Sequence, residues 1–352
     1  NFDQNVGGWD VSNVTTMASM FRAEVAYNAF NNGGSPSISG WDTSNVTTMS
    51  RMFQRNPFNQ PIGSWDTSSV TNMSYMFYYC TGFNQPIGAW DTSSVTNMDR
   101  MLHHCRRFNQ DIGNWDVSNI TSMNNMFTAA YRFNNGGSPS ISGWNTSSIT
   151  DMNQMFYAVS GFNQPIGAWD TSSVTNMNQM FRKYGGGMTF NQDIGNWDVS
   201  SVTNMSNMFG ADGYGANAFN NGGSPSISGW DTSSVTSMHQ MFIRTLFNQP
   251  IGAWDTSNVT SIYGMFLDAD SFDQDLSNWN VTSVTNATNF MSSANGLSTT
   301  NYDRTLSGWS SQSVNNGVSV HFGGSQYSTA TGAAYRSTLV SKGWTITDGG
   351  AV

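Results

Sequence analysis

Histidine, cysteine and arginine stand together once in this chain, at His103-His104-Cys105-Arg106-Arg107. An imidazole beside a thiol could ligate a transition metal or activate a nucleophile. Adjacent residues on a tight turn are expected to point apart, and the spacing supplies no second ligand cluster. No catalytic residue and no metal are therefore expected there. Asp268-Ala-Asp270-Ser-Phe-Asp273-Gln-Asp275 is the densest run of carboxylates, the hard oxygen donors that calcium takes. It lacks the Gly and Glu of an EF-hand loop and is read as a solvated acidic turn. Rows of Phe and Met that could cradle a cofactor recur in every repeat described below. Recurrence is the mark of packing, so no cofactor is expected.

Recognition chemistry is carried by the segment after each Met-Phe, where the repeats differ most. It supplies Arg55, Tyr78, Tyr79, His103, His104, Arg106, Arg107, Tyr131, Arg132, Tyr157, Arg182, Lys183 and Tyr184, with Tyr75 just before it. Tyrosine rings stack on sugar faces, and arginine pairs bidentately with carboxylate or sulfate. An acidic glycan or a host-surface polymer would suit such an edge; drift in a solvent loop is the alternative. Cys80 and Cys105 occupy equivalent places in adjacent repeats. Stacked strands bring equivalent Cα atoms to about 4.8 Å, inside the disulfide range. A bridge between them and a pair of buried thiols both remain open.

These residues hang on a repeat. Trp9, Trp41, Trp65, Trp90, Trp115, Trp144, Trp169, Trp197, Trp230, Trp254 and Trp279 mark eleven units, at spacings of 24 to 33 residues. A period near 25 implies a solenoid whose coils pack only on their neighbours. Phe83, Ile87, Trp90, Val95, Met98, Met101 and Leu102 exemplify the expected inward face. Thr67-Ser-Ser-Val70-Thr71 is the best candidate for a short strand, which stacking would extend into a parallel sheet. Met73-Ser-Tyr-Met76-Phe77 suits one helical or 3₁₀ turn. Asn and Thr rows (Asn72, Asn97, Thr71, Thr96) are expected to bond between coils or to coat the surface. Asn-Asn-Gly-Gly-Ser-Pro-Ser-Ile-Ser-Gly, inserted after Phe30, Phe133 and Phe219, predicts three matching Gly-rich loops. The array is expected over 1–295, opening in mid-repeat at Asn1-Phe2-Asp3-Gln4, with degenerate repeats forming a cap over 296–352.

Net charge is -9, with only Lys183 and Lys342 as lysines, which argues against a sequence-independent grip on nucleic acid. No run of 18 apolar residues offers a membrane span. Two cysteines do not settle the redox compartment.

Trp115-Asp-Val-Ser-Asn-Ile-Thr-Ser-Met123-Asn-Asn-Met126-Phe127 and Phe190-Asn-Gln-Asp-Ile-Gly-Asn-Trp197 resemble the repeat of BspA-type leucine-rich-repeat surface proteins, also found in mycoplasma lipoproteins and secreted proteins of marine bacteria. The ending Leu306-Ser-Gly-Trp309…Gly343-Trp344-Thr-Ile-Thr-Asp-Gly-Gly is similar to the close of such arrays. The resemblance implies a right-handed, leucine-rich-repeat-like solenoid with short parallel strands, located outside the cell or on a cell or particle surface. It implies adhesion and no catalytic residue. The function expected is a non-enzymatic surface adhesin or ligand-binding module recognising a surface glycan or host polymer. The alternative is a structural module that self-associates into a filament or layer. Ice binding is disfavoured, because Thr67 and Thr71 stand four residues apart.

Overall fold

A computed structural model describes residues 2–24, 30–185, 188–213 and 215–352. Asn1, which opens the expected mid-repeat start, lies outside them. The chain divides into two compact units, Asn1–Ser173 and Val174–Val352. Each is built from tandem repeats in which one coil hydrogen-bonds to the next in parallel register.

The repeat around Trp90 shows how a coil in the first unit is held. Trp90 is buried, and its indole N–H reaches the carbonyl of Ile62 in the preceding coil at 3.0 Å. Trp65 and Trp115 make the same bond to Ile38 and Ile87, each at 3.0 Å. Tryptophan thus brings what leucine lacks, an inter-coil donor to a buried carbonyl that otherwise accepts only the backbone N–H three residues on. Phe77 and Phe83 stack face to face at 3.9 Å, as Phe53 does on Phe58 at 3.7 Å. The Asn of each Phe-Asn step accepts the next coil's amide: Asn84 N–H on Asn59 Oδ1, then Asn109 N–H on Asn84 Oδ1, both 2.9 Å. Thr71 and Thr96 donate their hydroxyls to the carbonyls of Thr47 and Thr71. The Thr row bonds between coils, whereas the Asn72 and Asn97 side chains accept from Ser74 N and Asp99 N of their own coils, at 2.9 and 3.0 Å.

Strand and helix fall elsewhere than the residue preferences indicate. Thr67–Val70 is a turn, closed by Val70 N–H on the Thr67 carbonyl at 2.9 Å, because Asp66 accepts both the amide and the hydroxyl of Ser68 and bends the chain. Parallel pairing comes two residues later, as isolated bridges Thr48 to Asn72 and Asn72 to Asn97, not as a continuous sheet. The Met-x-x-Met-Phe segment is not helical. Its alternate amides are claimed by the next coil: Met73, Tyr75, Phe77 and Tyr79 donate to Asn97, Asp99, Met101 and His103 at 2.8 to 3.0 Å. Met76, Tyr78 and Cys80 close local turns onto Met73, Tyr75 and Phe77 at 2.8 to 3.2 Å. Turning so tightly while pairing sideways forces the third residue of a turn into the left-handed region. Tyr75 has φ 57° and Tyr79 φ 61°; Arg51, Arg55, Arg100 and His104 match them in neighbouring coils.

Each inserted loop of the first unit has a left-handed turn, Asn32–Gly34 or Asn135–Gly137, followed by a 3₁₀ turn, Pro36–Gly40 or Pro139–Gly143. Asn135 is fully buried and anchors its loop: its amide oxygen accepts from Ile112 N at 2.8 Å while its nitrogen donates to the Ser138 carbonyl at 2.8 Å.

The second unit repeats this logic, with Trp254 and Trp279 donating to Ile227 and Ile251 at 3.0 and 2.9 Å. It also has a short parallel pair, β1 (Lys183–Tyr184) and β2 (Ala211–Asp212). Near the C-terminus, α1 (Thr299–Ser310) packs on α2 (Gly332–Ser341), and β3 (Ser319–His321) pairs in parallel with β4 (Thr345–Thr347). Trp309 keeps the ladder although it sits in a helix, donating to Leu276 at 2.9 Å. Phe290 ends the parallel stacking by turning edge-on to Phe266, at 84°.

Candidate functional site

In the first unit equivalent residues of successive coils fall into columns, left-handed at the Tyr75 and Tyr79 positions, and these columns form the Tyr/His/Arg edge. The first is Arg51, Tyr75 and Arg100. Two guanidiniums flank the Tyr75 ring at 5.1 and 5.4 Å from its centroid, and Arg100 also donates to the Tyr75 hydroxyl. Tyr78 and His103 make a second column, stacked at 4.7 Å. Tyr79 and His104 make a third, stacked at 4.1 Å. Arg106 lies over Tyr131 at 5.6 Å.

His103 and His104 do not point apart. Their rings lie 4.7 Å from each other, because the positive φ of His104 folds its side chain back along the edge. Burial first, then the charges of neighbouring His104 and Arg100, drive the His103 pKa from 6.5 down to about 3. Burial and Arg106 lower His104 as well. Both imidazoles are therefore neutral at pH 7, and the positive charge of the edge belongs to arginine alone. The Nδ1 atoms of both rings are buried and make no hydrogen bond. Burial also raises the Tyr78 phenol.

The arginines of this unit are matched by aromatic rings and backbone carbonyls. Arg55 donates to the Glu24 carbonyl at 2.8 Å, and Arg106 and Arg107 are exposed. Among the described residues no carboxylate forms an ion pair with Arg51, Arg55, Arg100, Arg106, Arg107 or Arg132. Tyr131 and Tyr157 are half-buried. Asp99, next to Arg100, accepts from the Ser122 hydroxyl at 2.8 Å, whereas Asp91 and Asp116 follow their tryptophans and hold turns through Ser93 and Ser118. Those hydrogen bonds, hydroxyl first and amide second, lower both carboxyls.

The corresponding residues of the second unit are arranged differently. Arg182 is spent on Asp212, its Nε 2.8 Å from Oδ2, and Lys183 is buried, with Nζ on the carbonyls of Gly215 and Ala216 at 2.9 and 3.2 Å. Neither is available as the expected ligand cation, since β1 pairs with β2 and turns the two side chains onto Asp212 and onto the Gly215 and Ala216 carbonyls. Tyr184 stays 57% exposed.

Arg51 and Arg100 were not foreseen as members of the edge. They precede the second Met of their coils, as Tyr75 does, and that shared position was the available signal. Cys80 and Cys105 are free, buried thiols, each donating to a carbonyl of the preceding coil: Phe53 at 2.8 Å and Phe77 at 3.0 Å. Burial raises both thiols well above their usual range. The Asp268–Asp275 carboxylates each serve a separate neighbour: Asp268 holds Arg244, Asp270 caps Asn295, Asp273 caps Ser298, and Asp275 caps Ser277. No group of three His, Cys, Asp or Glu placed to hold a metal occurs among the described residues.

The parallel, Trp-marked repeat is the chain's defining feature, and it matches one sequence family. The family described as "Mycoplasma protein of unknown function, DUF285" matches residues 1–56, 26–139, 137–225 and 214–332. The chain belongs to this family. No curated protein and no solved structure matches it. DUF285 matches span both compact units, so the Tyr/His/Arg edge of the first and the ion-paired edge of the second are variations on one repeat. No helix among the described residues of this DUF285 chain is long and apolar enough to cross a membrane.

Proposed function

We propose that this chain is a non-enzymatic binding repeat of an extracellular surface protein, and that its first unit grips an acidic surface glycan or host polymer. One observation carries the reading: a row of arginines without carboxylate partners is interleaved with stacked rings at Tyr75, Tyr78, Tyr79, His103 and His104. Guanidiniums held on aromatic faces keep their outward N–H groups for an anion, and exposed Tyr79 offers a ring to a sugar face. Stacking limits the rotamer freedom these side chains lose on binding, which favours association. The coil is read as a BspA-type variant of the leucine-rich repeat, a right-handed solenoid with Trp, Met and Phe in place of Leu. Support for that comes from the parallel bridges that recur at equivalent places, as from Thr48 to Asn72 and from Asn72 to Asn97.

The test is retention on immobilised polymers. Alginate and dextran sulfate are expected to bind the chain in a salt-sensitive way, and neutral dextran is expected to bind this edge far less. The double change Arg106→Gln, Arg107→Gln should weaken binding about tenfold, as loss of two charge-assisted contacts would. Retention on dextran sulfate that the double change leaves untouched would reject the reading.

A further inference from the structure

The second unit carries a cavity of about 610 Å³, lined by Gly213, Gly215, Ala216, Arg244, Asp268 and Asp270. Its walls are set by the chain's own cations. Lys183 Nζ fastens the carbonyls of Gly215 and Ala216 from within, and Arg244 lies 3.4 Å from the Gly213 carbonyl. Arg244 Nε is at 2.8 Å from Asp268 Oδ2, so the one arginine of the cavity is charge-matched by a carboxylate. Asp270 uses Oδ1 to accept from Asn295 N at 3.1 Å.

That leaves a characteristic set of unused groups. The Nη2 donors of Arg244, Oδ1 of Asp268 and Oδ2 of Asp270 have no hydrogen-bond partner among the described residues. Donors and acceptors therefore stand side by side in a volume typical of small-ligand sites. An anion would meet Asp270, and a cation would meet Arg244 with Lys183 behind the loop. Hydroxyl groups both donate and accept, so a neutral polyol satisfies both kinds without burying net charge.

We infer that this cavity is a subsite for a neutral, hydroxyl-rich sugar of one or two rings, chemically distinct from the arginine edge of the first unit. Arg244 and Asp268 would grip neighbouring hydroxyls from the donor and acceptor side, and Asp270 would accept a third. The inference rests on the reading of the chain as a glycan-binding repeat.

Calorimetric titration with neutral trisaccharides of glucose, galactose and mannose, and separately with alginate, tests it. At least one neutral trisaccharide is expected to bind the full chain. Ala216→Trp, at an exposed position on the cavity wall, should weaken that binding at least tenfold and leave alginate binding unchanged. Asp270→Asn keeps an acceptor for Asn295 N–H and should weaken it several-fold, which guards against a misfolded Trp variant. If no neutral trisaccharide binds while alginate does, the subsite is rejected and the acidic-polymer reading stands. If neutral binding is unaffected by both changes, the subsite is likewise rejected. Neutral binding lost in Ala216→Trp with no alginate binding at all would keep the subsite and overturn the acidic-polymer reading.

Discussion

Tyr79 and His104 occupy the same position in consecutive coils, both in the left-handed region (φ 61° and 59°), and their rings stack at 4.1 Å with planes 11° apart. Backbone strain and the proposed recognition chemistry are thus located on the same residues. A non-glycine residue in that conformation costs roughly 1–2 kcal/mol, which stacking and inter-coil hydrogen bonds offset.

That cost can be measured where the side chain does little else. Gln154 has φ 54°, and the equivalent place four repeats on is taken naturally by Gly264, φ 55°. Gln154→Gly is expected to stabilise the chain by about 1 kcal/mol and Gly264→Ala to destabilise it by a similar amount. Urea unfolding midpoints decide it. A lower midpoint for Gln154→Gly would show that the side chain contributes more than the strain costs.

Close approach of coils restricts another position. A Cβ on Gly88 would lie 2.2 Å from the Asp111 carbonyl oxygen, a backbone atom that cannot swing away. Gly88→Ala should cost about 1–3 kcal/mol, as overpacking does, and lower Tm. An unchanged Tm would mean that the coils separate there without penalty.

The tryptophan ladder divides buried from exposed members. Trp90→Phe removes the inter-coil donor to the Ile62 carbonyl, which keeps only the Trp65 N–H at 3.2 Å, at a cost of about 0.5–1.5 kcal/mol. Trp9 is 48% exposed, so Trp9→Phe should change stability by less than about 0.5 kcal/mol. Equal losses in thermal unfolding would show that ring area, and not the N–H, sets the contribution.

Stability should fall with pH before the aspartates titrate. His103 stays neutral in the folded chain down to about pH 3, while the unfolded side chain takes a proton near 6.5. Between those values the unfolded state binds the extra proton, so stability is full above pH 6.5 and declines as pH drops towards 3. Asp91 acts lower: its carboxyl is depressed, so its contribution persists above the usual carboxylate pKa and is lost only as pH falls through the folded value. His103→Gln should therefore shrink the difference in urea midpoint between pH 7 and pH 5. An unchanged difference would place the pH dependence on other groups.

Much of the edge was legible because the repeat made its exceptions visible. Tyr78, Tyr79, His103 and His104 stood out as departures among near-identical coils, and they do come together. Arg51 and Arg100 were missed because nothing in local propensity announces a left-handed residue before a Met. Arg182 and Lys183 were assigned outward roles because their partners, Asp212 and the Gly215 and Ala216 carbonyls, lie about 30 residues away in the chain. The Thr67–Val70 stretch read as strand from its β-branched residues, yet the Asp66–Ser68 hydrogen bonds make it a turn.

By itself, the sequence determined the repeat, its period, and which side chains face inward, since apolar periodicity is a local property that survives without coordinates. Only the tertiary structure decided where amides pair between coils, which residues pass through positive φ, and which arginines find a carboxylate. Those outcomes depend on the neighbouring coil, and a residue's partner there is chosen by register and not by its own type.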